Sequence, residues 1–578
     1  MRIIFLKITI FILIVSSAIF VFSSCEKFEN ELKANFLQNN NLSSSTEVHP
    51  DRIENQDIFF NLKKKQEDKN PLADLNIRKA IFYSIDRERI VSELFGENNE
   101  VLNSIFNKNS FFYKNSWEIY EYNPVKAEEF LRLAGYSMEN PLYLTIGANN
   151  NSSTRIKIEE IIKENLESIG IKVWIYNKPP DEWFNEYLRN GDYEIGLWSL
   201  YTYDPKELIN YFNSTKIPAL QTPENKNCSN FYWYDSSTID EILAGIDSEK
   251  DLNTNKKIIA DFQDRLAEDA VILPLFSRLF AVAYNNQISN VEINPIDGNY
   301  LKSISNWQIE DEDKENNEED ELEAISIIAG FATEPNTLNP FLEVNTSMGY
   351  IHSMVISGLY ELDENALYKN ILAESQTVAA GVHKTEYSIN IKMKEDIYWE
   401  DGSPITSEDV KATIEAVLRD KTIYLNREEY EKITSIEIKS PKELIVNFED
   451  IAKDWQKLFL FIFPADLLKD TAISNLFQYN LFGCGPYKLT QWQKGSYITL
   501  EKNENYYGTK PAIDKIQIVF NEEENILVEY LKKGEIDIMS IPIDQYLFEQ
   551  IKENDNLGLS IQESSLWEQL GLCLKHKD

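Results

Sequence analysis

Four histidines and four cysteines are the residues of this chain best suited to nucleophilic or metal chemistry. Their spacing supports neither. His49, His352, His383 and His576 are scattered, without the close spacing of zinc ligands. Cys228, Cys484 and Cys573 form no CxxC pair, so neither a disulfide framework nor a structural zinc site is expected. There is no GxSxG and no HExxH, so the sequence predicts a non-enzyme with no cofactor and no metal.

Cys25 stands apart. Arg2 and Lys7 precede an apolar run from Ile8 to Phe22, followed by Ser23, Ser24 and Cys25. This is the build of a lipoprotein signal over residues 1–25, in which the Cys25 thiol is lipidated and anchors the mature chain to a membrane. Phe22 replaces the Leu usual three residues before the Cys. The alternative is an uncleaved spanning helix, which needs about 20 apolar residues.

The elements that position any site must come from the rest of the chain. At 578 residues, 43% hydrophobic, it can bury several cores, and two or three globular domains are expected. The net charge of −38 argues against a nucleic-acid partner, which requires a basic surface. Residues 26–58 begin Asn- and Ser-rich and read as a flexible tether. Residues 310–323 carry ten acidic residues and one Lys, with Leu322 alone to bury, and read as a solvated linker.

Downstream of that linker, Glu334–Pro340 (EPNTLNP) follows an apolar run, and Leu372–Ser375 (LAES) precedes Trp399–Val410 (WEDGSPITSEDV). In the last, Asp401-Gly402 makes a turn, and Thr406 with Asp409 forms a capping box. Val410, Ile414, Val417 and Leu418 then recur at helical spacing. Gly483–Tyr487 (GCGPY), Asn503–Tyr507 (NENYY) and Lys532–Ile538 (KKGEIDI) come next. Upstream stand Pro71–Ile90, Glu121–Tyr136, a helix over 155–169 ending at Gly170, a strand over 171–175, Gly191–Trp198, Asp204-Pro205, the Asp240 helix and Val271–Phe276.

Taken together, these motifs resemble the solute-binding proteins of peptide and nickel ABC transporters, extracellular family 5, with the two halves in reversed order. Residues 324–578 resemble the first half and roughly 59–309 the second. The resemblance implies an α/β, periplasmic-binding-protein-like clamshell of two lobes with an extra subdomain, circularly permuted. Residues 324–362 and 480–578 form the first lobe with a returning segment 271–309, residues 363–479 the subdomain, and 59–270 the second lobe. Asp57–Lys63 and Gln569–Lys575 look like two copies of one crossover strand. The alternative is a remnant of two broken tandem proteins.

The function implied is capture of an oligopeptide or related small solute and delivery to ABC transporter permease subunits, from a lipid-anchored position in the periplasm or at the cell surface. The implied ligand-binding residues are Trp198, Ser199, Tyr201, Asp204, Asn345, Thr346 and Trp567. Trp198 matches the family's Gly-Trp position, but Tyr201 stands where an Asp binds the peptide amino terminus. A phenol cannot supply the charge-assisted bond that an ammonium wants in a dry cleft. Asp204 is either a substitute or a turn former before Pro205. Nickel complexes, haem, oligosaccharides and a signalling peptide stay open as ligands, as does a surface role in sensing or adhesion.

Overall fold

The computed structural model describes residues 59–60, 62–64, 70–202, 204–218, 228–246, 252–309, 324–342, 346–363, 367–380, 386–423, 426–450, 455–478 and 480–575. Cys25, the tether up to residue 58, the acidic linker 310–323 and Asn345 lie outside the described residues. The chain divides into two units, 1–66 and 67–578. In the first, residues 59–60 and 62–64 are helical, and the Phe59 and Phe60 rings meet edge to face at 5.4 Å. Every strand of the described residues belongs to the second.

In chain order its strands are β1 (Leu142–Gly147), β2 (Ile171–Ile175), β3 (Ile195–Tyr201), β4 (Ile272–Asn285), β5 (Ile288–Ser289), β6 (Gln308–Ile309), β7 (Ser326–Phe331), β8 (Tyr360–Leu362) and β9 (Tyr368–Asn370). Then come β10 (Ala373–Ala380), β11 (Tyr387–Met393), β12 (Ile433–Ser440), β13 (Glu443–Phe448), β14 (Tyr487–Gln493), β15 (Tyr497–Lys502), β16 (Lys515–Phe520), β17 (Ile538–Ser540) and β18 (Leu557–Leu572). Ten of them form one sheet, in the order β14-β15-β16-β7-β17-β4-β18-β3-β1-β2. Segments from before and after residues 310–323 interleave in it, because β4 lies between β17 and β18, and β18 between β4 and β3.

The long strands β4 and β18 join two lobes. Ile272–Phe276 pairs with Glu568–Gly571 on one side, and Leu279–Asn285 with Leu557–Glu563 on the other. Between them the register shifts from Glu563 to Trp567, and a register break of this kind lets a sheet bend. One lobe packs Ile146, Ile162, Leu197, Phe262 and Leu273 in a core with Trp567 and Leu570 from β18. The other packs Ile327, Leu338, Met354, Ile414 and Ile516 in a second core that continues under the separate sheet β10-β11-β13-β12.

Local chemistry fixes the helices as read from the sequence. Asn123 caps Pro124–Leu133 by accepting from the Lys126 N–H, and Ala127 and Leu131 are fully buried. Helix Ser153–Ser168 buries Ile158, Ile162 and Leu166, and Gly170, at φ +100°, turns the chain into β2. Helix Ser407–Arg419 opens with the expected capping box, the Asp409 carboxylate accepting from the Thr406 N–H at 2.8 Å and its hydroxyl at 3.1 Å.

One expectation fails. The segment 57–63 resembles a crossover strand, yet residues 59–60 and 62–64 are helical. The place between β3 and β4 is filled by Gln569–Leu572 of β18, which uses both of its edges.

Candidate functional site

Strand direction determines where a ligand can be met. β18 runs from one lobe into the other and β3 lies antiparallel to it, so the carboxyl end of β3 at Tyr201, opposite Leu566, faces the crossover. β1 is parallel to β3 and β2 to β1, so their carboxyl ends face it too. Across the sheet, β17 is antiparallel to β4, with Ser540 opposite Val282, and β7 and β16 run parallel to β17. Both parallel sets therefore aim their carboxyl ends at the register shift between β4 and β18. Open α/β sheets bind ligands outside the carboxyl ends of their strands.

A charged cluster is built there on one face of the sheet. Arg155, in the first turn of helix Ser153–Ser168, donates from Nε to Glu568 Oε1 at 2.6 Å and from Nη2 to Glu568 Oε2 at 3.1 Å. Glu568 is fully buried and the Arg155 side chain is 8% exposed. Ser199, the cross-strand partner of Glu568, donates its hydroxyl to Glu568 Oε2 at 2.8 Å and accepts from Arg155 Nη2 at 3.0 Å. Asn149, just past the end of β1, accepts from Arg155 Nη1. Arg278 of β4 reaches the same carboxylate, Nη2 to Glu568 Oε2 at 3.5 Å, and its side chain is 40% exposed. Burying a carboxylate away from water is costly unless paired donors surround it.

A second buried carboxyl lies one helical turn beyond Arg155. Glu159 accepts from Asn177 Nδ2 at 2.7 Å through one oxygen. Burial pushes its pKa up to about 7, against the opposing effects of Asn177 and Arg155. At the register shift itself, burial and then the nearby Glu100 raise the Glu563 carboxyl above its usual range.

The residues expected from the sequence divide by face. Ser199 belongs to the cluster. Tyr201 lies on the same face and donates its phenol to the Ile296 carbonyl at 2.6 Å. Trp198 points the other way and is 2% exposed, packed 5.3 Å from the Tyr232 ring and 5.7 Å from Tyr193. Trp567 is fully buried, and its indole N–H donates to Thr202 Oγ1 at 2.8 Å. Asp204 accepts from the Lys206 N–H at 2.9 Å, the bond of an Asx turn. Thr346 is exposed at the start of helix Thr346–Val355, one turn before Tyr350, whose phenol donates to the Gly298 carbonyl at 2.8 Å. The structure thus brings Ser199 and Tyr201 to one face at the crossover and leaves Trp198 and Trp567 in the core of one lobe.

Arg155, Glu568 and Arg278 are absent from the sequence-based expectation. The available signal was a single charge inside an otherwise apolar strand: Glu568 in SSLWEQLGLCL and Arg278 in VILPLFSRLFAVAY. Among the described residues, no three His, Cys, Asp or Glu side chains gather as a metal ligand set. Cys228, Cys484 and Cys573 are buried free thiols, and burial pushes those of Cys484 and Cys573 up to about 12. No helix of the described residues is long and apolar enough to cross a membrane.

Two α/β lobes on a shared crossover, with a polar cluster where their strands end, define a two-lobe binding protein. Over residues 28–218 and 368–577, more than half of its length, the sequence matches the family described as bacterial extracellular solute-binding proteins, family 5 Middle, and the chain belongs to that family. It is 27% identical over 251 residues to the oligopeptide-binding protein AppA of Bacillus subtilis, covering 40% of this chain and 45% of that protein. It is 26% identical over 244 residues to the peptide transport periplasmic protein SapA of Salmonella typhimurium, covering 41% and 42%. The chain thus spans less than half the length of these relatives. Among solved structures, NikZ from Campylobacter jejuni in complex with Ni(L-His) is similar at 27% identity, covering 40% of this chain and 46% of that one, with a TM-score of 0.36.

Proposed function

We propose that this protein is an extracytoplasmic receptor that captures a peptide or related small solute between its two lobes and delivers it to the permease subunits of an ABC transporter. The observation that carries this reading is the convergence of both parallel strand sets on one crossover, with a built polar cluster there. Family membership and the similarity to the oligopeptide-binding protein AppA and to SapA support it. The chain acts as a binder and not as a catalyst. Extended peptides suit a cleft of this kind, because every peptide offers the same backbone donors and acceptors.

Its placement outside the cytoplasm, with Cys25 as the lipidated residue, rests on the signal-like sequence at the start of the chain. The order of its halves is a circular permutation of the family's order. That reading is supported by the interleaving of β4 and β18, in which each segment completes the other's sheet.

Tyr201 bears on the ligand. Its phenol is engaged by the Ile296 carbonyl and offers no charge to an ammonium. This favours ligands without a free amino terminus, whether blocked peptides or a non-peptide solute. A thermal-shift screen against defined peptides with free and with acetylated amino termini tests the proposal. Stabilisation by peptides, stronger for the acetylated set, is the expected result. A cooperative melt that no peptide moves would refute peptide capture.

A further inference from the structure

The Arg155, Glu568 and Arg278 cluster carries more positive charge than its geometry consumes. Arg155 already engages both oxygens of Glu568, and Ser199 supplies a further donor to Oε2. Arg278 comes to that oxygen at 3.5 Å, a distance at which charge attracts but no short hydrogen bond forms. Two guanidinium groups against one carboxylate leave one positive charge in excess. The other carboxyl beside Arg155 does not remove it. Glu159 bonds to Asn177 and sits where burial opposes ionisation.

The donors of Arg278 are also unspent. Its Nε is buried and has no hydrogen-bond partner. A buried guanidinium N–H left unpaired costs free energy, so such a group is either strained or waiting for an acceptor. The side chain is 40% exposed, so the guanidinium remains partly open to solvent while its Nη2 lies toward Glu568 Oε2. Its position on β4, one residue from the register shift, puts it where the carboxyl ends of β1, β3 and β17 converge. A planar, partly exposed guanidinium matches a carboxylate in charge and shape.

We infer that Arg278 is the anchor for a carboxylate of the bound solute, with Glu568, Arg155 and Ser199 holding its guanidinium in position. The inference rests on the proposed capture of a solute between the lobes, and it specifies the chemistry of that solute as an acid. Glu568 acts as a positioning residue. It keeps the Arg278 side chain at the crossover, while Arg155 keeps Glu568 from competing as the anion. The carboxylate can belong to a peptide's carboxyl terminus or to a small free acid, and the two are separable by experiment.

The test uses the purified full-length chain and its Arg278→Gln and Arg278→Lys variants, each first shown to melt cooperatively. Mixed-sequence pentapeptide libraries with free and with amidated carboxyl termini are titrated by calorimetry, alongside succinate and its neutral diamide. The expected result is a preference of about tenfold or more for the free-acid library, lost in Arg278→Gln and partly retained in Arg278→Lys. If peptides bind but acid and amide do so equally, or if Arg278→Gln keeps the preference, the carboxylate anchor is overturned and peptide capture stands. If neither library binds, peptide capture fails and the succinate pair decides. Binding of succinate but not its diamide, abolished in Arg278→Gln, then upholds the anchor for a small acid. No difference between succinate and the diamide, or none between wild type and Arg278→Gln, overturns it.

Discussion

The phenol of Tyr201, at the end of a strand in one lobe, donates a 2.6 Å hydrogen bond to the backbone carbonyl of Ile296, in a segment that packs into the other. The neighbours of Ile296 show that the segment is fixed. Ile293 and Tyr300 belong to the core that also holds Ile327 and Met354, and Tyr350 holds the Gly298 carbonyl. The bond therefore ties lobe to lobe beside the crossover strands, whose register shift is the place where the sheet can bend.

Removing the phenol oxygen should loosen that tie without disturbing either core. In Tyr201→Phe the loss is one hydrogen bond, about 1 kcal/mol. Small-angle scattering of the ligand-free protein should show a larger average radius of gyration, with a modestly lower melting temperature. Unchanged scattering and melting would mean that the bond contributes nothing to closure.

Arg87 should be among the most sensitive positions in its lobe. Its side chain is buried and donates to the carbonyls of Leu102, Pro274, Trp117 and Tyr120 and to the Asn103 amide oxygen, at 2.9–3.1 Å. Burial lowers its pKa to about 10, still well above neutrality. Arg87→Met removes five hydrogen bonds, four of them buried, and should cost on the order of 4 kcal/mol. Arg87→Lys should recover only part of this, because an ammonium cannot span the same set. Urea unfolding followed by tryptophan fluorescence measures both.

These examples show what was legible in the sequence. The periodic helices, the turn at Asp401-Gly402 and the capping box at Thr406 follow from local rules, and the structure contains them. The motifs that carry the family resemblance serve the scaffold. Asn339 of EPNTLNP donates to the carbonyls of Ile473 and Leu476, and Asn503 of NENYY donates to the Gly485 carbonyl. The charge cluster was not legible because its members lie far apart. Arg155 and Glu568 are separated by 413 positions, and no local pattern pairs them. Trp198 was a poor guide for a related reason: strand alternation places it on the face opposite Ser199 and Tyr201.

The GCGPY motif makes a sharp prediction about packing. A Cβ at Gly483 would lie 1.8 Å from the Val355 carbonyl oxygen, and one at Gly485 would lie 2.4 Å from that of Met354. Two backbone segments thus touch directly, and Gly485 donates to the Val355 carbonyl at 2.9 Å. Gly483→Ala must push them apart and should destabilise this lobe by about 3 kcal/mol. Chemical denaturation should show a lower midpoint for the lobe's transition. An alanine variant as stable as the wild type would mean that the contact yields freely.

Stability should also depend on pH through Glu159. Its carboxyl titrates at about 7 when folded, against an ordinary value of 4.5, because burial penalises the charged form. The folded state therefore holds a proton that the unfolded state releases, and stability from this group is fully present below pH 4.5 and is lost as the pH rises to 7. Glu400, which accepts from the Gly483 N–H, is raised to about 7 by burial and acts in the same sense. His352 acts in the opposite sense. Burial lowers it from 6.5 to about 4, so its contribution is present above pH 6.5 and is lost as the pH falls through 4. Glu159→Gln removes one titration from this set. Relative to wild type it should gain on the order of 2 kcal/mol above pH 7, and the gain should vanish below pH 4.5. Melting curves of both proteins across that range decide the matter, and a pH-independent difference would show that Glu159 does not change its protonation on unfolding.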